Sequence, residues 1–411
     1  MKKKILFVIN TMGRAGAERC LLSMLARMDR ERYEISLFSV INRGELFNEV
    51  PKGVTVLNDP PCALSVLDRG AKRALMAEIL RGGFLGGWFF RRFGYLCRLA
   101  AYQMSHGGLD FKKLFWKLLA DRAPRWEERY DLAVAYIQGA ATCYVMDHVN
   151  AGKKVAFLHT EFIDSGYCPA LERSNYERAD KIYCVSRSIR DHFAQAYPDL
   201  EGKMEVFYNL LDCEKIRRDA QRAEDRPAAF VKRPGEVILL TAARLTPVKA
   251  YDLAVPALAQ VRARGYRVKW YVLGEGPEEE NIRHLIRKHG LEESFVLLGA
   301  VENPYPCMAE CDIYVQATHY EGCCTSISEA MVLGRPVIAS DCSGNVEQIH
   351  RYGAGLLVGL SVEGIADGII QAIEHPERLG VERIDQNELS GQGSLERFCG
   401  FLGESAQTAE G

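Results

Sequence analysis

Two glutamates stand eight positions apart in "HYEGCCTSISEAMVLGRPVIASD", Glu321 in what reads as a loop and Glu329 in the first turn of a helix. Glu329 has a local explanation: Ser326-Ile327-Ser328-Glu329 reads as a capping box, with the carboxylate closing back on Ser326. Glu321 has no such local role. The N–H groups of Cys323, Cys324, Thr325 and Ser326 offer an anion cradle behind Gly322. A glutamate is unwelcome there unless it binds neutral hydroxyls alongside, as carboxylates readily do. Upstream, "TAARLTPVKAYDLAVPAL" sets Arg244 and Lys249 after an apolar run, with a helix expected to begin about Ala250. A lysine at a helix start opposes the helix dipole, costing about 0.3 kcal/mol or more. A bound anion reverses that sign, because cations and free N–H groups then converge on it. "VLGEGPEEENI" flanks Glu275 with Gly274 and Gly276 in a tight turn. In "LLGAVENPYPCM" the backbone from Ala300 through Val301 to Glu302 can hydrogen-bond a base. The residue types thus describe a nucleotide-sugar site: a pyrophosphate between Arg244, Lys249 and the helix tip, a sugar on Glu321, a ribose on Glu329.

Alternating strands and helices must position these groups. The first half offers the strands "ILFVIN", "YEISLFSV", "LAVAYI", "KVAFLH", "KIYCVS" and "MEVFYN". The second half offers "EVILLTAAR", "KWYVLG", "SFVLLG", "DIYVQAT" and "RPVIAS". Apolar strands separated by amphipathic helices predict doubly wound α/β structure with parallel sheets. At 411 residues the chain exceeds one typical core. Two Rossmann-like domains are expected, facing each other across a cleft: residues 1–212 and 213–393. The polar stretch 214–235 is the connecting helix and linker, and a tail, 394–411, is expected to pack back on the first domain. In such sheets ligands sit beyond the carboxyl ends of the strands.

Composition narrows the function classes. The net charge of −2 gives no reason to expect nucleic-acid binding. Thirteen cysteines without paired spacing, two of them adjacent at Cys323-Cys324, suggest reduced thiols and a cytoplasmic protein. No C-x-x-C pair or His/Cys cluster suggests a metal. "MKKKILFVIN" reads as a first strand leading to a Gly-containing turn, not as a leader. The loop "NTMGRAGAE" lacks the G-x-G-x-x-G spacing of dinucleotide dehydrogenases. Between 62 and 129 the alternation breaks: thirteen Lys/Arg face six Asp/Glu, interleaved with Trp88, Phe89, Phe90, Phe93, Phe111, Phe115 and Trp116. In "DFKKLFWKLL", Phe111, Leu114, Phe115 and Leu118 share one helical face, with Lys113 and Lys117 on another. Such a helical insertion suits an anionic membrane surface, or it packs its apolar face on the first domain.

Taken together, "YEGCCTSISEAMVLGRPVIASDCSGNVEQI", "ARLTPVKAYDLAVPAL", "VLGEGPE" and "VLLGAVENPYPCMAECDIYVQAT" resemble the retaining glycosyltransferases of family 4, of the bacterial surface-polysaccharide type. "INTMGRAGAERCLLSMLARM", "VAFLHTEF", "CVSRSIRDHF" and "VFYNLLD" extend the likeness into the first half. The resemblance implies a GT-B fold and metal-free, anomer-retaining transfer from a nucleotide sugar, UDP-linked by default. The acceptor would be a saccharide, lipid-linked on the inner face of the cell membrane, with the enzyme peripheral to it. Matching positions would give Glu321 the donor sugar, Glu329 the ribose, and Arg244 and Lys249 the diphosphate. Gly16, in the loop after the first strand, would let backbone approach the donor phosphate, and His159 would face the sugar. Cys323-Cys324-Thr325 departs from the family's usual bulky, proline-containing run, so the donor sugar stays open. Two other readings share the fold: a nucleotide-sugar 2-epimerase and a non-catalytic scaffold.

Overall fold

The computed structural model describes residues 2–64, 94, 97, 111–162 and 167–403. Two compact units divide the chain: Met1–Leu210 with Gly393–Gly411, and Leu211–Gln392. Each is built on one parallel sheet.

The first unit orders its strands β3-β2-β1-β4-β5-β6-β7. These are β1 (Lys3–Ile9), β2 (Tyr33–Ser39), β3 (Val54–Val56), β4 (Arg129–Ala135), β5 (Asn150–Leu158), β6 (Lys181–Cys184) and β7 (Met204–Val206). The last five residues of β1 are buried, as a central parallel strand covered on both faces requires. Its core joins Phe7, Tyr136, Phe157, Tyr183 and Phe207 to Phe398 and Leu402 from the closing helix, Gln392–Gly403. That helix is held at its carboxyl end, where negative backbone charge gathers: Lys153 Nζ donates to the Phe401 carbonyl (3.1 Å), and Lys3 Nζ to that of Leu402.

The second unit orders its strands β10-β9-β8-β11-β12-β13: β8 (Val237–Ala242), β9 (Val268–Leu273), β10 (Phe295–Gly299), β11 (Ile313–Gln316), β12 (Val337–Ser340) and β13 (Leu356–Val358). Helices cover both faces. Tyr251–Ala263 and Val362–Glu374 pack on one, around Trp270, Val272 and Val315. Tyr305–Glu310 and Thr325–Val332 pack on the other, around Tyr271, Tyr314 and Ala339.

The expected class, two Rossmann-like α/β domains, is the one observed. All eleven strands named from sequence form. β3 and β13, each three residues long, were not foreseen. The insertion needs a correction where it is described. The helix Phe111–Arg122 is present, but Lys117 is not on a solvent face: its side chain is 14% exposed and its ammonium lies 3.5 Å from Asp147. Leu118 is buried, and a Cβ at Gly139 would lie 3.1 Å from the Trp116 indole. From Trp116 onward the helix is therefore docked on Ala140–His148. The membrane reading of this region otherwise falls on residues 65–110, nearly all outside the described residues.

Candidate functional site

In both sheets the strand order reverses beside the first strand of the unit, between β1 and β4 and between β8 and β11. At such a point the two following loops diverge to opposite faces and leave a crevice at the carboxyl ends. Arg244 and Lys249 lie in the loop after β8, and Glu321 and Gly322 in the loop after β11. The predicted cations and the first predicted glutamate thus share the switch point of the second sheet.

Lys249 lies in the loop just before the helix, as the sequence suggested. It ends a 3₁₀ turn, Pro247–Lys249, and the helix begins at Tyr251 after Ala250, which adopts a left-handed conformation (φ 45°). The Lys249 Nζ donates to Glu321 Oε2. The pair is largely shielded, with side chains 15% and 22% exposed. Lys249 is buried, which weakens its basicity, but Glu321 outweighs this and lifts its pKa above the ordinary lysine value. Arg244 pulls it down again through repulsion, and its own side chain is exposed.

Backbone contacts fix this pairing. The Val248 carbonyl accepts from His319 N–H (2.8 Å) and from Thr318 Oγ1 (3.0 Å), clamping the two loops together. Ser340, ending β12, accepts the Thr318 N–H (2.9 Å) and donates to its carbonyl (2.7 Å). A Cβ at Gly344 would meet the Glu321 carbonyl at 2.2 Å, so the helix Ser343–Tyr352 can approach this loop only through glycine. Gly274 has a comparable reason. Its φ of +149° and a would-be Cβ 2.0 Å from the Ala243 carbonyl let the turn after β9 lie flush against the Arg244 loop.

The helix tip differs from expectation in two ways. No capping box forms: the helix starts at Thr325 after Cys324, and Ser326 Oγ donates to the Ala242 carbonyl (3.1 Å). Glu329 is instead buried, 5% exposed, and accepts from the Tyr305 hydroxyl (3.1 Å). The cradle is also narrower. Cys324 N–H donates to Gln348 Oε1 (2.8 Å), and the Gln348 amide donates to the Cys324 carbonyl (2.9 Å) and Ser328 Oγ (3.0 Å). Thr325 and Ser326 are left as first-turn donors without an intrahelical partner. Burial pushes the Cys323 and Cys324 thiols up to about 12, so both stay neutral at pH 7. Gly322 is buried beneath them, Val301 packs half-buried near Tyr305, and Glu302 is exposed.

In the first unit, His159 follows β5. Its Nε2 is buried without a hydrogen-bond partner, and burial drives its pKa down to about 4 against a weaker opposing bond to the Tyr136 backbone. A neutral imidazole donating there presents Nε2 as an acceptor. Gln138 Oε1 accepts the His159 N–H (2.8 Å), the Gln138 amide donates to the Thr160 carbonyl (2.7 Å), and Asn10 Nδ2 donates to the Gln138 carbonyl (2.8 Å). Gly16 is the first residue of the helix Gly16–Arg27, not a loop residue; the loop proper ends at Ala15. Asp121, Asp147 and His148 lie close enough together to hold a metal ion. Lys117 and Arg178 already pair with Asp147, however, and His148 Nε2 lies 2.9 Å from Asp121 in a hydrogen bond, so these contacts account for the cluster.

Sequence reasoning missed Tyr305, Gln348, Thr318, Ser340, Asn10 and Gln138. The available signal was a polar residue at or just past the end of an apolar strand, which holds for Asn10, Gln138, Thr318 and Ser340. Tyr305 and Gln348 lie on helices distant in sequence from their partners and gave none.

Residues 223–387 match the family model described as glycosyl transferases group 1. The 4-α-N-acetylgalactosaminyltransferase of Campylobacter jejuni that acts on an N-acetylgalactosamine-N,N'-diacetylbacillosaminyl-diphospho-undecaprenol is 29% identical over 184 residues, 45% of each chain. The chain spans under half the length of the curated relatives it matches first. A putative glycosyltransferase of Bacillus subtilis, EpsF, is 23% identical over 364 residues, 88% of this chain and 84% of that one. Among solved structures, Anabaena HepE in complex with UDP and glucose aligns with a TM-score of 0.66 over 98% of this chain and 99% of its own, at 19% identity. That likeness establishes the fold.

Proposed function

We propose that this protein is a glycosyltransferase that moves a sugar from a nucleoside-diphosphate donor, UDP-linked, to a saccharide acceptor in surface-polysaccharide synthesis. The observation that carries this reading is the meeting of Arg244, Lys249, Glu321 and the Thr325–Val332 helix tip at the β8/β11 switch point. The relatives above support the reaction class, and the undecaprenol-linked substrate of the Campylobacter enzyme supports a lipid-linked acceptor. Glu329, buried and oriented by Tyr305, is the acceptor for a ribose hydroxyl. Arg244, Lys249 and the Thr325 and Ser326 N–H groups would stabilise the charge that develops on the leaving diphosphate.

The finer mechanism is part of the same proposal. Retention at the anomeric carbon follows if the acceptor hydroxyl attacks from the leaving-group face and passes its proton to a phosphate oxygen. His159 of the first unit, held neutral by burial, would offer a ligand hydroxyl an acceptor and not a cation. With two side-chain cations available for the leaving group, transfer should survive a chelator.

A thermal-shift screen against nucleotide sugars tests the reading, since a ligand that binds only the folded state raises its melting temperature. A nucleotide sugar at a hundred times its Kd should contribute about 2.7 kcal/mol. Arg244→Ala or Lys249→Ala should remove the shift. No shift with any nucleotide sugar, or an undiminished shift in both variants, would sink the assignment.

A further inference from the structure

Lys249 and Glu321 are hydrogen-bonded to each other beside the place where the diphosphate is expected. Among the described residues, Glu321 Oε2 is the hydrogen-bond acceptor of Lys249 Nζ, and both side chains are mostly withdrawn from water. Their loops cannot drift apart, because the Val248 carbonyl is shared by Thr318 and His319 and the Glu321 backbone is pressed by Gly344. Only side-chain rotation can separate the two charges. Arg244 adds a second positive charge that opposes Lys249. The unliganded site therefore sets the Glu321 carboxylate on Lys249, with the Arg244 cation nearby.

We propose that Glu321 is an internal counter-ion that competes with the diphosphate for Lys249, so that a ligand must displace it. This rests on the diphosphate reading of the site given above. An incoming diphosphate brings at least two negative charges beside a carboxylate that is shielded from solvent, where like charges repel most. The repulsion is relieved when the carboxylate turns to hydroxyl donors. A sugar joined to the diphosphate supplies them, and a bare diphosphate does not. Glu321 accordingly disfavours the sugar-free anion and returns to Lys249 once the sugar has been transferred, which helps to clear the site.

Inorganic pyrophosphate is the probe of choice, because its binding depends on neither base nor sugar. Titration calorimetry at fixed ionic strength is applied to the intact chain, its Glu321→Gln, Lys249→Ala and Arg244→Ala variants, and the Glu321→Gln/Lys249→Ala double variant. Glu321→Gln keeps the side-chain shape and removes the charge. It should bind pyrophosphate about tenfold more tightly, equivalent to about 1.4 kcal/mol, and the gain should vanish when Lys249 is also Ala. Unchanged or weaker binding in Glu321→Gln overturns the proposal. If Lys249→Ala and Arg244→Ala both leave pyrophosphate affinity untouched, or if no form binds it, the diphosphate reading itself fails, a result distinct from failure of the competition alone. Melting temperatures confirm folding. Should Glu321→Gln not fold, Glu321→Ala, which also removes the charge, is read by the same criterion.

Discussion

Tyr305 shows how one side chain off the motif conditions a residue within it. Glu329 is buried, and its carboxylate needs hydrogen-bond donors to remain there. The Tyr305 hydroxyl is one of them, at 3.1 Å. Tyr305→Phe removes that bond and leaves the ring, so it should weaken nucleotide-sugar binding by about 1 kcal/mol, a several-fold rise in Kd by calorimetry, with the fold intact. His159 supplies a pH prediction. Its folded-state pKa, about 4, lies below the ordinary histidine value of about 6.5. The unfolded chain therefore binds the proton more readily, and stability contributed above pH 6.5 is lost as pH falls toward 4. The loss should reach about 2–3 kcal/mol, and His159→Gln should flatten the melting temperature across that window. A wild-type profile already flat from pH 6.5 to 4 would refute the buried, unpartnered state of Nε2.

At the scale of elements, loops are positioned by contacts between segments far apart in sequence. Gln348 holds the first turn of the Thr325–Val332 helix through three bonds, two of them to the Cys324 backbone. Gln348→Ala leaves buried polar groups unsatisfied and should cost about 2 kcal/mol or more. It should also lower donor affinity, because the helix tip loses its anchor. The closing helix Gln392–Gly403 has a different role: Phe398, fully buried, completes the core of the first unit. Phe398→Ala should destabilise that unit by about 3–5 kcal/mol, seen as an earlier urea transition, while pyrophosphate affinity, which the proposed function assigns to residues of the second unit, should be unchanged. Most strands were legible as short apolar runs, such as "LAVAYI" and "KVAFLH", bounded by polar residues, glycine or proline. The helix start at Thr325 was also legible. Its cap was misread, because a serine and a glutamate three apart form a capping box only if no tertiary partner outbids the local bond, and here Ala242 and Tyr305 do.

At the scale of the whole molecule, the thirteen cysteines are free thiols, and seven of them are buried. Native protein should therefore react rapidly at no more than six thiols with an aromatic disulfide reagent and at thirteen once denatured; reductant should leave the melting temperature unchanged. The amino-acid sequence by itself determined the two α/β halves and the loops that carry Arg244, Lys249, Glu321 and His159. Alternating apolar strands and amphipathic helices, and the punctuation between them, are local properties that survive in a one-dimensional pattern. What only the tertiary structure decided was which of these charges meet. The pairing of Lys249 with Glu321, the burial of Glu329 under Tyr305, and the docking of Lys117 on Asp147 each join segments 24 to 72 positions apart. Such pairings follow from strand order at the switch point and from burial, and no local periodicity encodes either.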